Sequence, residues 1–179
     1  MKICILSDSH DQVELLESAV REAVAAGAEA VLHCGDVVNP ETLRVIMPFD
    51  LPVHVIHGNN SGNLAMMTRI ASEHTNNVHY YGHDAGFELA GKRIFLVHFP
   101  DYANSMSTTG EWDLVCCGHS HKAEIRSVEN RAGTITHLVN PGTVGGIMAP
   151  ATWILGDLDT MTFSILDVPA RIAAKQETA

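Results

Sequence analysis

Two short runs in this chain set an imidazole two positions after a possible metal donor: Asp8-Ser9-His10 and His119-Ser120-His121. Three more donors lie between them, Asp36 in "VLHCGD", Asn59 in "VIHGNN" and His98 in "FLVHF". Each donor follows an apolar run of strand character, as in "ILSDSH" and "LVCCGHSH". In open α/β sheets, ligands bind beyond the carboxyl ends of strands. Asp8, His10, Asp36, Asn59, His98, His119 and His121 can therefore converge on one rim. Carboxylate, imidazole and amide donors together suit Mn, Fe or Zn better than a soft thiolate site does. Taken singly these fragments mean little, since Gly-Asp is usually a turn and a strand-end His usually a hydrogen-bonding residue. Five in order, each closing a strand, make separate turns a poor account.

The run "LVCCGHSHKAE" puts two cysteines beside two histidines and invites comparison with a structural zinc site. Adjacent strand residues point to opposite faces of a sheet, so Cys116 and Cys117 are poorly placed to clamp one ion. A second Cys-x-x-Cys element, which a structural zinc site would want, is lacking. Cys116 and Cys117, with Cys4 and Cys34, read as small buried residues. That leaves His119 and His121 as the functional pair.

The elements that must position these residues begin with a βαβαβ order. "KICIL", "EAVLHC" and "VHVIH" read as buried strands. "DQVELLESAVREAVAAG" reads as a helix with Val13, Leu16, Val20 and Val24 on its buried face, ending at Gly27. "PETLRVIM" reads as a short helix with Pro40 near its start and Asn39 as its cap. Asp11 reads as the cap of the first helix. This order implies parallel strands with crossover helices. The second half reads as three hairpins, turning at Gly91, at Asn130 to Gly133 and at Asp157 to Thr160. Residues 1–179 form a single domain in this reading, with a frayed tail over about 169–179.

Composition restricts the function classes. With 179 residues and 46% hydrophobic content, one core is well supplied. A net charge of −10, from 11 Lys and Arg against 21 Asp and Glu, argues against nonspecific nucleic-acid binding. There is no apolar run of membrane-spanning length, so no membrane role is expected. "MKICILSDSH" reads as a first strand and not a signal peptide. Four cysteines without a secretory signal point to reduced thiols and a cytoplasmic setting. An oligomer is compatible with the sequence, which specifies no interface.

The series "DSH", "GD", "GNN", "VH" and "GHSH" resembles the calcineurin-like metallophosphoesterase superfamily, from Met1 to about Asp167. The short length and the closing "NPGT" are similar to its small bacterial and archaeal phosphodiesterase branch. The resemblance implies a four-layer α/β/β/α sandwich of two mixed sheets flanked by helices. It implies two divalent metal ions, Mn first, with Fe, Zn, Ni or Mg as alternatives. Asp8, His10 and His121 would hold one ion, Asn59, His98 and His119 the other, and Asp36 would bridge them. The implied reaction is in-line attack of a metal-bridging hydroxide on a small phosphate ester, with Asp36, Asn59, Asn60 and His98 at the reacting centre. A phosphodiester is the expected substrate. A monoesterase acting on nucleotides or sugar phosphates, and a non-catalytic scaffold of the same fold, are the alternatives.

The chain departs from the family at two places. "GNNSGN" replaces the usual Gly-Asn-His-Asp/Glu, so Asn60 stands where a phosphate-contacting His is usual. Asn60 can donate a hydrogen bond to a phosphoryl oxygen but is no general acid. Phe99 follows His98 where the family usually has Gly, and walling the pocket with Tyr102 or packing in the core are both open to it. Asp101 reads as a solvated loop residue and "NPGTVGG" as a glycine-rich bend. His33 and His57 read as partners that orient ligands. His54, His74, His79, His83 and His137 read as core or surface residues, and Trp112 and Trp153 as packing residues.

Overall fold

The computed structural model describes residues 1–73 and 77–169. His74 and nearly all of the expected tail (170–179) lie outside them. β1 (Lys2–Leu6), α1 (Val13–Ala25), β2 (Ala28–His33) and β3 (Val53–Val55) realise the βαβ opening. β3 is followed by α2 (Leu64–Ala71) and β4 (Val78–Tyr80). Then come β5 (Asp84–Leu89), β6 (Lys92–Val97), α3 (Pro100–Ser107) and β7 (Leu114–Cys116). β8 (Ala123–Glu129), β9 (Ile135–Pro141), β10 (Thr152–Asp157) and β11 (Thr162–Asp167) complete the described chain.

These strands form two mixed sheets. One has the order β11-β10-β1-β2-β3-β4, the other β5-β6-β7-β9-β8. In the first, β1 to β4 run parallel, β10 pairs antiparallel with β1, and β11 pairs antiparallel with β10. In the second, β6, β7 and β9 run parallel, flanked by antiparallel β5 and β8.

Strand alternation divides the apolar residues into three cores. On β1, Ile3 and Ile5 join Leu32 of β2 and Ile94, Leu96, Leu114 and Cys116 of the other sheet, which fills the space between the sheets. Cys4 and Leu6 point the other way, toward Leu16, Ala19, Val20 and Ala23 of α1. Phe95, Val97, Val115 and Cys117 face Ala103 of α3. The result is the expected four-layer sandwich, and Cys116 and Cys117 lie in different cores.

Local structure corrects several expectations. Leu16 and Val20 are buried as expected, but Val13 and Val24 are 42% and 38% exposed, and Ala19 and Ala23 complete the buried stripe of α1. Their small side chains let the helix approach the sheet closely. Pro40–Val45 and Met47–Phe49 are separate 3₁₀ turns and not one helix. Pro48 has no N–H to continue a helical ladder and disfavours the α conformation before it. Asn39 does cap, accepting from the Glu41 N–H at 3.1 Å. Asp11 does not cap α1. Its carboxylate accepts from the Asn39 N–H and the Thr42 hydroxyl, each at 2.8 Å, and so ties two loops together. The hairpin between β5 and β6 turns through Ala90 and Gly91, both with positive φ, as a two-residue primed turn demands.

Candidate metal centre

All seven predicted donors leave the carboxyl ends of parallel strands: Asp8 and His10 follow β1, Asp36 follows β2 and Asn59 follows β3. From the second sheet, His98 follows β6, and His119 and His121 follow β7. Five of them, Asp8, His10, Asp36, His119 and His121, have left-handed backbones with φ between 43° and 67°. Each such non-glycine residue costs about 1–3 kcal/mol, a strain that folds retain where function requires it. The bends turn each chain back over the strand end, toward a common point.

There the donor atoms draw together in two groups. Asp8, His10 and His121 form one, and Asp8, Asp36 and His98 form the other, with the donor atoms inside each group within 4.8 Å of one another. The Asp36 carboxylate spans both groups. Its Oδ2 lies 3.6 Å from His10 Nε2 and its Oδ1 lies 3.5 Å from His98 Nε2. Asn59 Oδ1 joins the second group at 3.1 Å from His98 Nε2. His119 lies outside both groups. Its ring stands at the cleft wall, 5.2 Å from the His98 ring, and its backbone N–H donates to Asp8 Oδ2 at 3.0 Å. Asp8, expected in the first set only, takes its place in the second.

The hydrogen bonds decide which ring nitrogens carry protons. His98 Nδ1 donates to the Cys34 carbonyl at 2.8 Å, and His121 Nδ1 donates to the Ile147 carbonyl at 2.7 Å. A neutral ring with its proton on Nδ1 presents a lone pair at Nε2. His121 Nε2 then faces Asp8 Oδ1 at 3.1 Å, lone pair to lone pair. Asp8 is fully buried, and Oδ1 has no hydrogen-bond partner. His98 Nε2 faces two further oxygens in the same way. Neutral rings and carboxylates that converge in this way form an arrangement that a cation satisfies, and the backbone carbonyls behind the rings are the outer partners usual for metal-binding histidines. The donor set and the orphaned oxygen both fit divalent ions.

Neighbouring groups hold the donors in place. His33, fully buried, pairs with Ser9 Oγ at 3.2 Å and accepts from the Gly35 N–H at 3.3 Å. Burial pushes its pKa down to about 3, so it stays neutral as an orienting partner, as expected. His57 contacts Tyr80 Oη at 2.5 Å and stands edge-on to His83, so it braces the base of the Asn59 loop without reaching the donors. Burial raises the Cys4 and Cys34 thiols, the latter also through contact with Cys116, and pushes Cys117 up to about 12. Such thiols are not ready thiolate ligands.

Two buttresses were not legible as such in the sequence. Thr143 Oγ1 donates to the Asp8 carbonyl at 2.9 Å, and the Val144 N–H donates to the Ser7 carbonyl at 2.9 Å. Asn140 Nδ2 donates to the Gly118 carbonyl and to Ser120 Oγ, which shapes the Gly-His-Ser-His loop. The "NPGTVGG" bend is therefore a support for both loops that carry candidate donors, and the signal for it was the "NPGT" run itself. Phe99 is 42% exposed, with its ring 5.0 Å from that of His119, so it walls the site and does not enter the core. Tyr102 packs edge-on against Phe95, away from the donors.

The profile of the calcineurin-like phosphoesterase superfamily domain matches residues 1–161. The chain belongs to the calcineurin-like phosphoesterase superfamily. This is a metal-dependent family of hydrolases. The chain is 25% identical over 162 residues to phosphodiesterase MJ0936 of Methanocaldococcus jannaschii, covering 89% of this chain and 93% of that protein. Among solved structures, an archaeal phosphodiesterase superposes with a TM-score of 0.82 at 21% identity, covering 93% of this chain and 99% of the other. The phosphoesterase YfcE of E. coli gives 0.61 at 19% identity, covering 94% and 100%. Vps29 of Entamoeba histolytica, a single mutant, gives 0.62 at 15% identity with the same coverage. These likenesses establish the shared fold. No helix among the described residues is long and apolar enough to cross a membrane.

Proposed function

We propose that this calcineurin-like phosphoesterase is a phosphodiesterase with a dinuclear divalent metal site. Asp8, His10 and His121 would hold one ion. Asp8, Asp36, His98 and Asn59 would hold the other, with the second Asp36 oxygen turned toward the first group and His119 at the cleft wall beside them. Bound there, divalent ions supply Lewis-acid chemistry, making water acidic enough to ionise near neutral pH and offsetting charge on the phosphoryl oxygens. Mn²⁺ suits the mixed oxygen and nitrogen donors and is the ion to test first.

The chain's own residues set the conditions for the reaction. His98 and His121 are locked in the Nδ1–H form by backbone carbonyls, so their lone pairs stay on the donor side. Asn60 gives its backbone and side-chain N–H groups to Asp36, at 2.8 Å and 2.6 Å, and so fixes the plane of that carboxylate. This differs from the expected role of Asn60 as a donor to phosphate.

The preference for diesters rests on one observation. The cleft over the donors, about 370 Å³, is lined by His10, Asp36, Asn59, Asn60, Ser120 and their neighbours, with no Lys or Arg among them. Beyond the ions themselves, the second negative charge of a monoester dianion meets no side-chain cation on this wall, whereas a diester carries one charge only. Asn60, an amide engaged on Asp36, supplies no general acid at the position where the family usually has an imidazole, which favours activated esters.

The test is hydrolysis of bis(p-nitrophenyl) phosphate and of p-nitrophenyl phosphate by metal-stripped protein as Mn²⁺ is added, with Asp36→Asn as control. Saturable diester hydrolysis, lost in the variant, is the expected result. A faster rate on the monoester would refute the diester assignment.

A further inference from the structure

A second cleft, about 360 Å³, opens beside the first and shares His121 with it. Lys122, Ala149, Pro150, Thr152 and Asp167 line it. The two clefts are separated by one loop, which contributes Ile147 and Met148 to the first and Ala149 and Pro150 to the second. Anything that lies over the donors and continues past His121 enters this second space.

The loop is firmly held. The Ile147 carbonyl accepts from His121 Nδ1 at 2.7 Å, the Gly145 N–H donates to the Asp8 carbonyl at 3.2 Å, and Thr143 and Ala151 form a β-bridge. On this fixed loop Met148 has a left-handed backbone, φ 62°, and a side chain 94% exposed. An apolar, adaptable side chain held fully in water at the lip of a site is suited to pack on a ligand. The walls beyond it are of mixed chemistry. Ala149 and Pro150 offer apolar surface, Asp167 accepts hydrogen bonds and Lys122 donates them. Among the described residues neither the Lys122 ammonium nor the Asp167 carboxylate has an ion-pair partner.

We infer that this second cleft is the subsite for one ester arm of the phosphodiester, and that the arm is nucleoside-sized, with an apolar face and hydroxyl groups. The inference rests on the phosphodiesterase reading above. The phosphate sits over the metal donors, one arm crosses Met148, its apolar face lies on Ala149 and Pro150, and its hydroxyls reach Asp167. A methyl arm is too short to leave the first cleft.

Two diesters with the same leaving group isolate the retained arm: thymidine p-nitrophenyl phosphate and methyl p-nitrophenyl phosphate, each with Mn²⁺-loaded protein. The kcat/KM ratio should favour the thymidine arm by about tenfold or more, a typical value for filling a subsite. Ala149→Trp, which fills the cleft, and Asp167→Ala, on an exposed edge strand, should both lower that ratio. A wild-type ratio near one, or a ratio that neither variant changes, would overturn the inference. Should neither diester be hydrolysed, the phosphodiesterase reading fails by itself. The subsite is then judged from the dissociation constants of the same two compounds by calorimetry, with equal affinity counting against it. Circular dichroism verifies that each variant is folded, and Asp167→Ala carries the test if Ala149→Trp is not.

Discussion

Asn60 holds Asp36 from two sides: its backbone N–H meets Oδ1 at 2.8 Å and its side-chain amide meets Oδ2 at 2.6 Å. Asp36 is the carboxylate whose two oxygens face His10 and His98, so Asn60 orients a carboxylate that reaches toward both donor sets. Asn60→Ala should leave the fold intact, because the residue is exposed at the rim. Loss of such an outer partner usually costs about 10–100-fold in metal affinity or activity. The Mn²⁺ concentration for half-maximal activity should therefore rise by about that factor, with KM for the ester less affected. An unchanged Mn²⁺ titration with a raised KM would instead place Asn60 on the substrate.

Thr143 supports Asp8 from the opposite side. Its hydroxyl is fully buried and donates to the Asp8 carbonyl at 2.9 Å. Thr143→Val keeps the shape and removes this donor, which leaves the Asp8 carbonyl with the Gly145 N–H alone. The expected loss is about 0.5–1.5 kcal/mol, read as a lower urea midpoint with unchanged slope. Because the Asp8 backbone is left-handed, loosening it should also weaken metal binding, and the same Mn²⁺ titration measures that.

The donors were legible because their residue types are restricted and each closes an apolar strand. Thr143 was not, because a bond between side chain and backbone that spans 135 positions leaves no local pattern. On α1 the periodicity pointed to Val13 and Val24, yet packing chose Ala19 and Ala23. Hydrophobicity ranks valine above alanine, but close helix–sheet approach favours the smaller residue. α2 and α3 went unread for a different reason. Each has eight residues, too few for a clear period. Their start signals were present: Asn63 accepts from the Met66 N–H, and Pro100 occupies the first turn. The place of Asp8 in both donor groups is set by the angle between two sheets, which no strand encodes by itself.

Two buried histidines make stability depend on pH. Burial lowers the pKa of His33 to about 3 and, with a smaller contribution from His79, that of His54 to about 4, from 6.5. Below pH 6.5 the unfolded chain binds protons that the folded chain refuses, so stability falls as pH falls. The stability is fully present above about pH 7 and is lost progressively toward pH 4 for His54 and pH 3 for His33. Each contributes a slope of up to about 1.4 kcal/mol per pH unit, less for His54, whose ring edge is partly solvated. Urea unfolding of EDTA-treated protein between about pH 4 and 7 measures this. His54→Gln should flatten the slope by about 1 kcal/mol per unit, and an unaltered slope would remove His54 as its source.

Gly58 and Gly82 separate packing from backbone strain on either side of the Asn59 loop. A Cβ at Gly58 would overlap Asp36 Oδ1 and come within 2.7 Å of two ring carbons of His98. Neither neighbour can yield, because Asp36 is held by Asn60 and His98 by the Cys34 carbonyl. Gly58→Ala must therefore displace a donor from each side of the candidate second ion site. Gly82 has φ +88° but open space around its Cα. Gly82→Ala meets only the left-handed penalty, about 1–2 kcal/mol, and leaves the donors where they are. Gly82→Ala should thus lose stability and keep Mn²⁺-dependent hydrolysis of bis(p-nitrophenyl) phosphate. Gly58→Ala should lose that activity by about 100-fold or more, since a small misplacement of reacting groups can cost that much. Full activity in folded Gly58→Ala would mean that Asp36 and His98 are not both required at the reacting centre.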